Sequence, residues 1–207
     1  VLQEIILREI FHCPSADKSE VVLLFWEGVE WQGRVLREAY ERTGEALEIR
    51  FAEAGKPYFH PDRGLYFSIS NTRNFTVAAF ANSPVGVDLE CLERKVSFER
   101  IATRYFFQKE SEWMQSVPPG PERAERFFQL WTAKEAVVKL DGRGLYGGGL
   151  CSCETEIGPS GVVAAGLDKR KFRVARRLLS GEFLVSVTCS GNFLLDLPPE
   201  SPKLRKE

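Results

Sequence analysis

The chain is organised around Gly86-Val87-Asp88-Leu89-Glu90 and a later segment, Phe128-Gln129-Leu130-Trp131-Thr132-Ala133-Lys134-Glu135-Ala136-Val137-Val138-Lys139. Side chains alternate faces along an extended strand, so Val87 and Leu89 point into a core while Asp88 and Glu90 point together to the other side. Two carboxylates sharing one small site repel each other unless a cation or a shared proton lies between them. Hard oxygen ligands suit Mg2+ better than Zn2+. The competing reading is a half-buried strand with a wet polar face, and an isolated D-x-E does not decide between the two.

The second segment predicts a helix. Phe127, Leu130, Trp131, Lys134, Val137 and Val138 follow a three-to-four-residue spacing, with no Gly or Pro before Gly142. Trp131, Glu135 and Lys139 then form one i, i+4 line, which puts Glu135 at the edge of the apolar stripe. From there Glu135 could complete a carboxylate site, and Lys139, one turn on, could reach an anionic substrate. The plainer alternative is an exposed Glu-Lys helix pair of modest stabilising effect.

With 207 residues and 43% hydrophobic content, the chain can bury a sizeable core. A formal net charge of −1 gives no general affinity for nucleic acid or anionic membrane. The five cysteines include no C-x-x-C pair and fit neither a disulfide framework nor a structural zinc site, which points to a reducing, cytoplasmic setting. Cys151 and Cys153 are expected on one strand face. Neither His12 nor His60 has the partners of a triad. No apolar run approaches the ~20 residues of a membrane helix, and Glu4, Arg8 and Glu9 interrupt the first segment, so it does not read as a signal peptide.

Along the chain, Val1 to Phe11 is strand or short helix, Pro14 to Ser19 a loop, and Val21 to Trp26 a strand. Val35, Leu36, Ala39 and Tyr40 mark an amphipathic helix ending at Thr43-Gly44. Leu47 to Phe51 reads as a strand leading into Gly55-Lys56-Pro57. Leu65, Phe67 and Ile69 alternate with Tyr66, Ser68 and Ser70 as in a strand with one buried face. Phe75 to Ala81 and Val85 to Leu89 flank Asn82-Ser83-Pro84, which predicts a hairpin delivering Asp88 and Glu90 beside Ser70 and Asn71. Helices are expected around Phe107-Gln108 between Phe98 and Met114, followed by a loop at Pro118 to Pro121. Asp141 to Leu145 and Gly147 to Gly149 lack the G-K-[ST] ending of a phosphate loop and read as a mobile turn. Strands are expected near Leu150 to Glu156, Phe172 to Leu178 and Phe183 to Thr188, with a frayed end from Leu194.

Ala54-Gly55-Lys56-Pro57-Tyr58, Phe67-Ser68-Ile69-Ser70-Asn71, Gly86-Val87-Asp88-Leu89-Glu90 and Trp131-Thr132-Ala133-Lys134-Glu135-Ala136, with Lys139 and Gly142-Arg143-Gly144-Leu145, follow one another in an informative order. In order and approximate spacing this set resembles the Sfp-type 4′-phosphopantetheinyl transferases, over roughly residues 33 to 145. The resemblance implies an α+β fold in which two similar halves are related by a pseudo-twofold axis. Residues 1–88 would form the N-terminal half and 89–207 the C-terminal half, with the active site between them. The strand-like likeness of Tyr66 to Ser70 and Leu184 to Thr188 agrees with such a duplication. A pseudo-dimer of this kind would work as a monomer.

The activity implied is transfer of 4′-phosphopantetheine from coenzyme A to a serine of an apo acyl or peptidyl carrier protein, releasing adenosine 3′,5′-bisphosphate. Asp88, Glu90 and Glu135 would hold Mg2+. Glu135 would act as base, Lys139 would steady the phosphate or leaving group, and Lys56, Ser70 and Asn71 would hold coenzyme A. No nucleic acid or membrane partner is implied. The sequence departs from the family twice. Asn71 stands where the family has a phosphate-contacting histidine, and it can donate a hydrogen bond but lacks the charge of imidazolium. Val29-Glu30 replaces an Arg-Thr pair before the first helix, which leaves Arg34 or Arg37 as substitutes. Two other functions remain open on these residues: a non-catalytic relative binding coenzyme A or a carrier, and a Mg2+-dependent phosphohydrolase.

Overall fold

The run Val21 to Trp26 shows no polar alternation, and the computed structural model, which describes residues 7–12, 20–144 and 149–190, gives the reason. The elements are β1 (Leu7–His12), β2 (Glu20–Glu27), α1 (Gln32–Thr43), β3 (Glu48–Phe51), β4 (Pro57–His60), β5 (Tyr66–Thr72), β6 (Phe75–Ala81) and β7 (Val85–Cys91). They continue with α2 (Phe98–Tyr105), α3 (Gln108–Gln115), α4 (Pro121–Asp141), α5 (Gly149–Ser152), β8 (Glu154–Gly158), β9 (Gly161–Leu167), β10 (Arg170–Arg173), β11 (Ala175–Leu179) and β12 (Phe183–Cys189). Both faces of β2 are covered. Val21, Leu23 and Phe25 enter one apolar cluster, and Val22, Leu24 and Trp26 enter another. A strand buried on both sides needs no polar face.

The fold is α+β. An antiparallel sheet of order β1-β2-β6-β5 carries α1 and the β3-β4 pair on one face, where Val35, Ala39, Phe59, Phe67 and Phe80 pack together. Its other face meets the sheet β11-β12-β7 through Val77, Ala79, Val87, Leu89 and Val185. Helix α4 lies beyond that second sheet and is covered in turn by α2, α3 and the sheet β10-β9-β8. Each fully buried aliphatic or aromatic side chain here contributes about 1.5–3 kcal/mol of transfer free energy.

The expected helix ends are present. Gly44 caps α1 at φ 72° and Gly142 caps α4 at φ 85°, both in the left-handed region that glycine enters freely. The helices expected around Phe107-Gln108 are α2 and α3.

Other expectations are corrected. Phe75 to Ala81 and Val85 to Leu89 do not form a hairpin, because β6 bonds β2 on one edge and β5 on the other. A strand has two edges, so β7 crosses into another sheet at Asn82-Ser83-Pro84 and pairs with β12, Asp88 opposite Ser186. Leu150 begins in α5, and β8 starts only at Glu154, so Cys151 and Cys153 do not share a strand face. The segment expected as one strand over Phe172 to Leu178 is split at Val174 into β10 and β11, which pair with β9 and β12. The strand β9 was not anticipated. The loop expected at Pro14 to Ser19, the turn residues Leu145, Gly147 and Gly148, and the end from Leu194 lie outside the described residues.

Gly86 lets α4 cross β7. A Cβ at this position would sit 1.9 Å from the Ala136 carbonyl oxygen and 2.6 Å from the Leu140 backbone nitrogen. Backbone atoms in a packed helix cannot move aside without shifting the helix. Gly86→Ala is therefore expected to destabilise the protein by about 3 kcal/mol, the upper end for overpacking, as measured by urea unfolding. A loss below about 0.5 kcal/mol would contradict the crossing geometry.

Candidate active site

Strand alternation places Asp88 and Glu90 on one face of β7, and both are buried. Strand β5 runs beside them in a different sheet and reaches across with hydroxyls at every second residue. Ser68 Oγ accepts from the Val87 backbone N–H at 3.1 Å, Ser70 Oγ donates to Asp88 Oδ1 at 2.8 Å, and Thr72 Oγ1 donates to Glu90 Oε2 at 3.3 Å. These side-chain bonds do what a backbone ladder would do between paired strands.

Helix α4 supplies the other half of the site. Glu135 and Lys139, one turn apart, both come from the stretch that crosses β7. The Lys139 ammonium donates to Asp88 Oδ1 at 2.6 Å and to Ser70 Oγ at 2.9 Å, and lies 3.8 Å from Glu135 Oε2. Arg94 Nη1 donates to Glu90 Oε1 at 2.7 Å.

The electrostatics are those of crowded acids. Burial first, then the charge of Asp88, pushes Glu135 up to about 8 from an ordinary 4.5, with Lys139 acting in the opposite direction. Glu90 is also raised, by burial and by Asp88, against the pull of Arg94 and Thr72. Asp88 Oδ2 is buried with no hydrogen-bond partner among the described residues. As they stand, no three acidic, His or Cys side chains among the described residues close around a common metal centre. The donor set nevertheless fits a hard divalent cation: three carboxylates, one buried oxygen without a partner, and mutual repulsion that such a cation would relieve.

Beside the carboxylates lies a cavity of about 470 Å³, lined by Lys56, Ile69, Val138, Lys139, Gly142 and Arg143 among others. Lys56 Nζ donates to the Leu140 carbonyl oxygen at 2.7 Å, and burial lowers its pKa to about 8, partly offset by Asp141. Of the residues expected around coenzyme A, Lys56 is at the cavity wall. Ser70 is instead joined to Asp88 and Lys139. Asn71 stands exposed, because alternation along β5 turns it away from the face shared by Ser70 and Thr72.

Several residues of the site were missed from sequence. The 68-70-72 hydroxyl spacing was a visible signal; Arg94 gave none. Lys134, counted with the apolar stripe, is fully buried and ion-paired to the equally buried Glu110 at 2.8 Å. Glu110 also accepts from the backbone N–H groups of Phe107 and Thr155 and from the Thr155 hydroxyl, and Lys134 donates to the Cys153 carbonyl. A charged residue inside an apolar stripe was the available clue. Cys153 itself is pushed up to about 12, chiefly by burial, so it is no thiolate at neutral pH. No helix among the described residues is long and apolar enough to cross a membrane.

The family model described as "4′-phosphopantetheinyl transferase superfamily" matches residues 84–188, about half of the chain, from the start of β7 to the end of β12. The 4′-phosphopantetheinyl transferase gsp of Aneurinibacillus migulanus is 35% identical over 102 residues, covering 49% of this chain and 41% of that protein. A 4′-phosphopantetheinyl transferase of Bacillus subtilis is 31% identical over 140 residues, 63% of this chain and 61% of its own length. AcpT of Escherichia coli, of the same description, is 32% identical over 96 residues, 46% of this chain and 49% of its own. The matches thus span between 41% and 61% of these relatives.

Two outcomes follow from the site. Glu135 binds its proton more tightly folded than unfolded, so its contribution to stability is full below pH 4.5 and is lost as pH rises through about 8. In chelator, the melting temperature should fall between these limits, and Glu135→Gln should flatten that part of the profile; a parallel profile would contradict the assignment. Lys134→Met leaves Glu110 buried and unpaired and should cost about 3–5 kcal/mol in urea unfolding. Adding Glu110→Gln to that variant should recover part of the loss.

Proposed function

Since the chain belongs to the 4′-phosphopantetheinyl transferase superfamily, we propose that it transfers 4′-phosphopantetheine from coenzyme A to a serine of an apo acyl or peptidyl carrier protein, in a Mg2+-dependent reaction that releases adenosine 3′,5′-bisphosphate. The observation that carries this reading is the meeting of Asp88, Glu90, Glu135 and Lys139 beside a cavity with Lys56 in its wall. The proposed division into an N-terminal half, 1–88, and a C-terminal half, 89–207, puts these groups at the junction.

In the proposed reaction the serine oxygen forms a bond to the phosphorus that carries the pantetheine arm, and the phosphoanhydride bond to the nucleotide breaks. The serine proton goes to Glu135, directly or through a water. Glu135 takes this role as the carboxylate carried by α4 one turn before Lys139, which lines the cavity. Asp88, Glu90 and Glu135 would hold Mg2+, which when bound supplies positive charge to the pyrophosphate oxygens. Lys139 adds its own charge on the cavity side and orients the phosphate or the leaving group. Lys56 and Arg143 offer further cationic contacts in the cavity wall. The mixed apolar and cationic lining suits a ligand with both a pantetheine arm and phosphates. Ser70 acts by holding Asp88 and Lys139 in register. Asn71 is proposed as a hydrogen-bond donor to coenzyme A from the strand edge.

Intact-mass measurement of an apo acyl carrier and an apo peptidyl carrier, each incubated with the protein, coenzyme A and Mg2+, tests the proposal. One added phosphopantetheine on either carrier is expected, with Asp88→Ala folded and at least about a hundredfold slower. No mass gain in the presence of bound coenzyme A would leave a non-catalytic binding relative. Lys56 gives an independent outcome. Its depressed pKa of about 8 should rise when a phosphate arrives, so coenzyme A binding at about pH 9 should take up a fraction of a proton. Calorimetry in buffers of different ionisation enthalpy reads this uptake, and Lys56→Gln should abolish it.

A further inference from the structure

Lys139 stands where the carboxylates call for a cation. Its ammonium is 2.6 Å from Asp88 Oδ1 and 3.8 Å from Glu135 Oε2, and it is steadied by Ser70 Oγ at 2.9 Å. Asp88 therefore uses one oxygen for both Ser70 and Lys139, while Oδ2 is buried without a partner among the described residues. A group held only by its Oδ1 side, with the second oxygen unused, is half of a bidentate or bridging ligand.

The lysine head is a compact charge on a flexible four-carbon stem. A quarter of this side chain is exposed, and it lines the cavity, so the ammonium can turn toward the cavity without unpacking α4. Glu90 differs, because Arg94 and Thr72 hold one carboxylate oxygen each. One part of the cluster is thus fixed, and the other is held by a cation able to move.

We propose that Lys139 is an internal counter-ion that competes with a divalent cation for Asp88 and Glu135, and whose ammonium is released toward the cavity when that cation binds. The inference rests on the reading of Asp88, Glu90 and Glu135 as the cation's ligands. It assigns Lys139 two successive partners, the carboxylates before the cation binds and an anion in the cavity afterwards. Cation binding and anion binding are then coupled through one side chain, since the same event that fills the carboxylate site frees a positive charge for the ligand.

The test titrates the chelator-treated full chain with Mn2+ alone, with no coenzyme A, and follows free Mn2+ by electron paramagnetic resonance. Lys139→Met should bind Mn2+ about tenfold more tightly than the unmodified chain, the factor that corresponds to losing one charge-assisted competitor. Asp88→Asn should lose the binding. Equal or weaker binding by Lys139→Met, with binding still lost in Asp88→Asn, overturns the competition and leaves the ligand assignment standing. No Mn2+ binding by either the unmodified chain or Lys139→Met overturns both. Should Lys139→Met not fold without metal, the unmodified chain carries the same test. Its Lys139 13Cε resonance, identified by its absence in Lys139→Arg, should shift as Mg2+ saturates the site, and an unchanged resonance overturns the proposal.

Discussion

The contact on which the structure depends is the crossing of α4 over β7 at Gly86. The carbonyl of Ala136 lies where a side chain would otherwise begin. A helix against a strand normally stands off by the thickness of the intervening side chains, about 10 Å between axes. At Gly86 that spacer is missing. Glu135 and Lys139 flank the contact on the helix, and Asp88 follows two residues later on the strand, so the close approach and the charged site are one feature. The glycine that opens the G-V-D-L-E stretch is there for helix packing, since its backbone is not in the left-handed region.

Bringing acids together this way is costly, and the protein spreads the compensation over several elements. Strand β5 contributes hydroxyls to both carboxylates of β7, α4 contributes Lys139, and the turn after β7 contributes Arg94. On the other face of β7, Val87 and Leu89 sit in an apolar cluster shared by two sheets. The strand is therefore polar on the site side and apolar on the other even though all of it is buried. The helix shows a similar division. Lys134 is locked to Glu110 and the Cys153 carbonyl, and Thr155 donates in turn to Glu110, while the neighbouring Glu135 faces β7. A buried pair of that kind adds little net stability but penalises any rotation of the helix that would separate it. It thereby helps fix which way Glu135 points.

Much of this was legible in the residues. Period-two alternation placed Asp88 and Glu90 together, and helical spacing placed Glu135 one turn before Lys139, because both patterns are local and hold wherever the element forms. The pairing of β7 was not legible. Asn82-Ser83-Pro84 has the composition of a hairpin turn, and only the distant strand β2, by occupying the second edge of β6, excludes that outcome. The role of Lys134 is hidden for a related reason, since its partner Glu110 lies on another helix and a spacing argument treats a charge in an apolar stripe as stripe. Strand β9 escaped because Gly161-Val162-Val163-Ala164-Ala165-Gly166-Leu167 is small and weakly alternating; it is a strand through its pairing with β8 and β10. Strand periodicity does not hold for Cys151 and Cys153, because their segment begins as the short helix α5.

The last turn of α4 joins these points. Backbone carbonyls at a helix C-terminus carry partial negative charge and lack intrahelical partners. Lys56, from the strand side of the cavity, satisfies one of them at Leu140, and Lys139, on the helix itself, satisfies Asp88. Each lysine at the cavity wall thus already has an acceptor that is not a ligand. A phosphate entering the cavity would exchange partners with them rather than meet bare ammonium groups, which lowers the cost of holding two cations close together in a half-buried place. The two exchanges differ in consequence. Leu140 and Asp88 are equally buried, but Lys56 leaves behind a neutral carbonyl and Lys139 a carboxylate, so the release of Lys139 requires another cation at the carboxylates and the release of Lys56 does not.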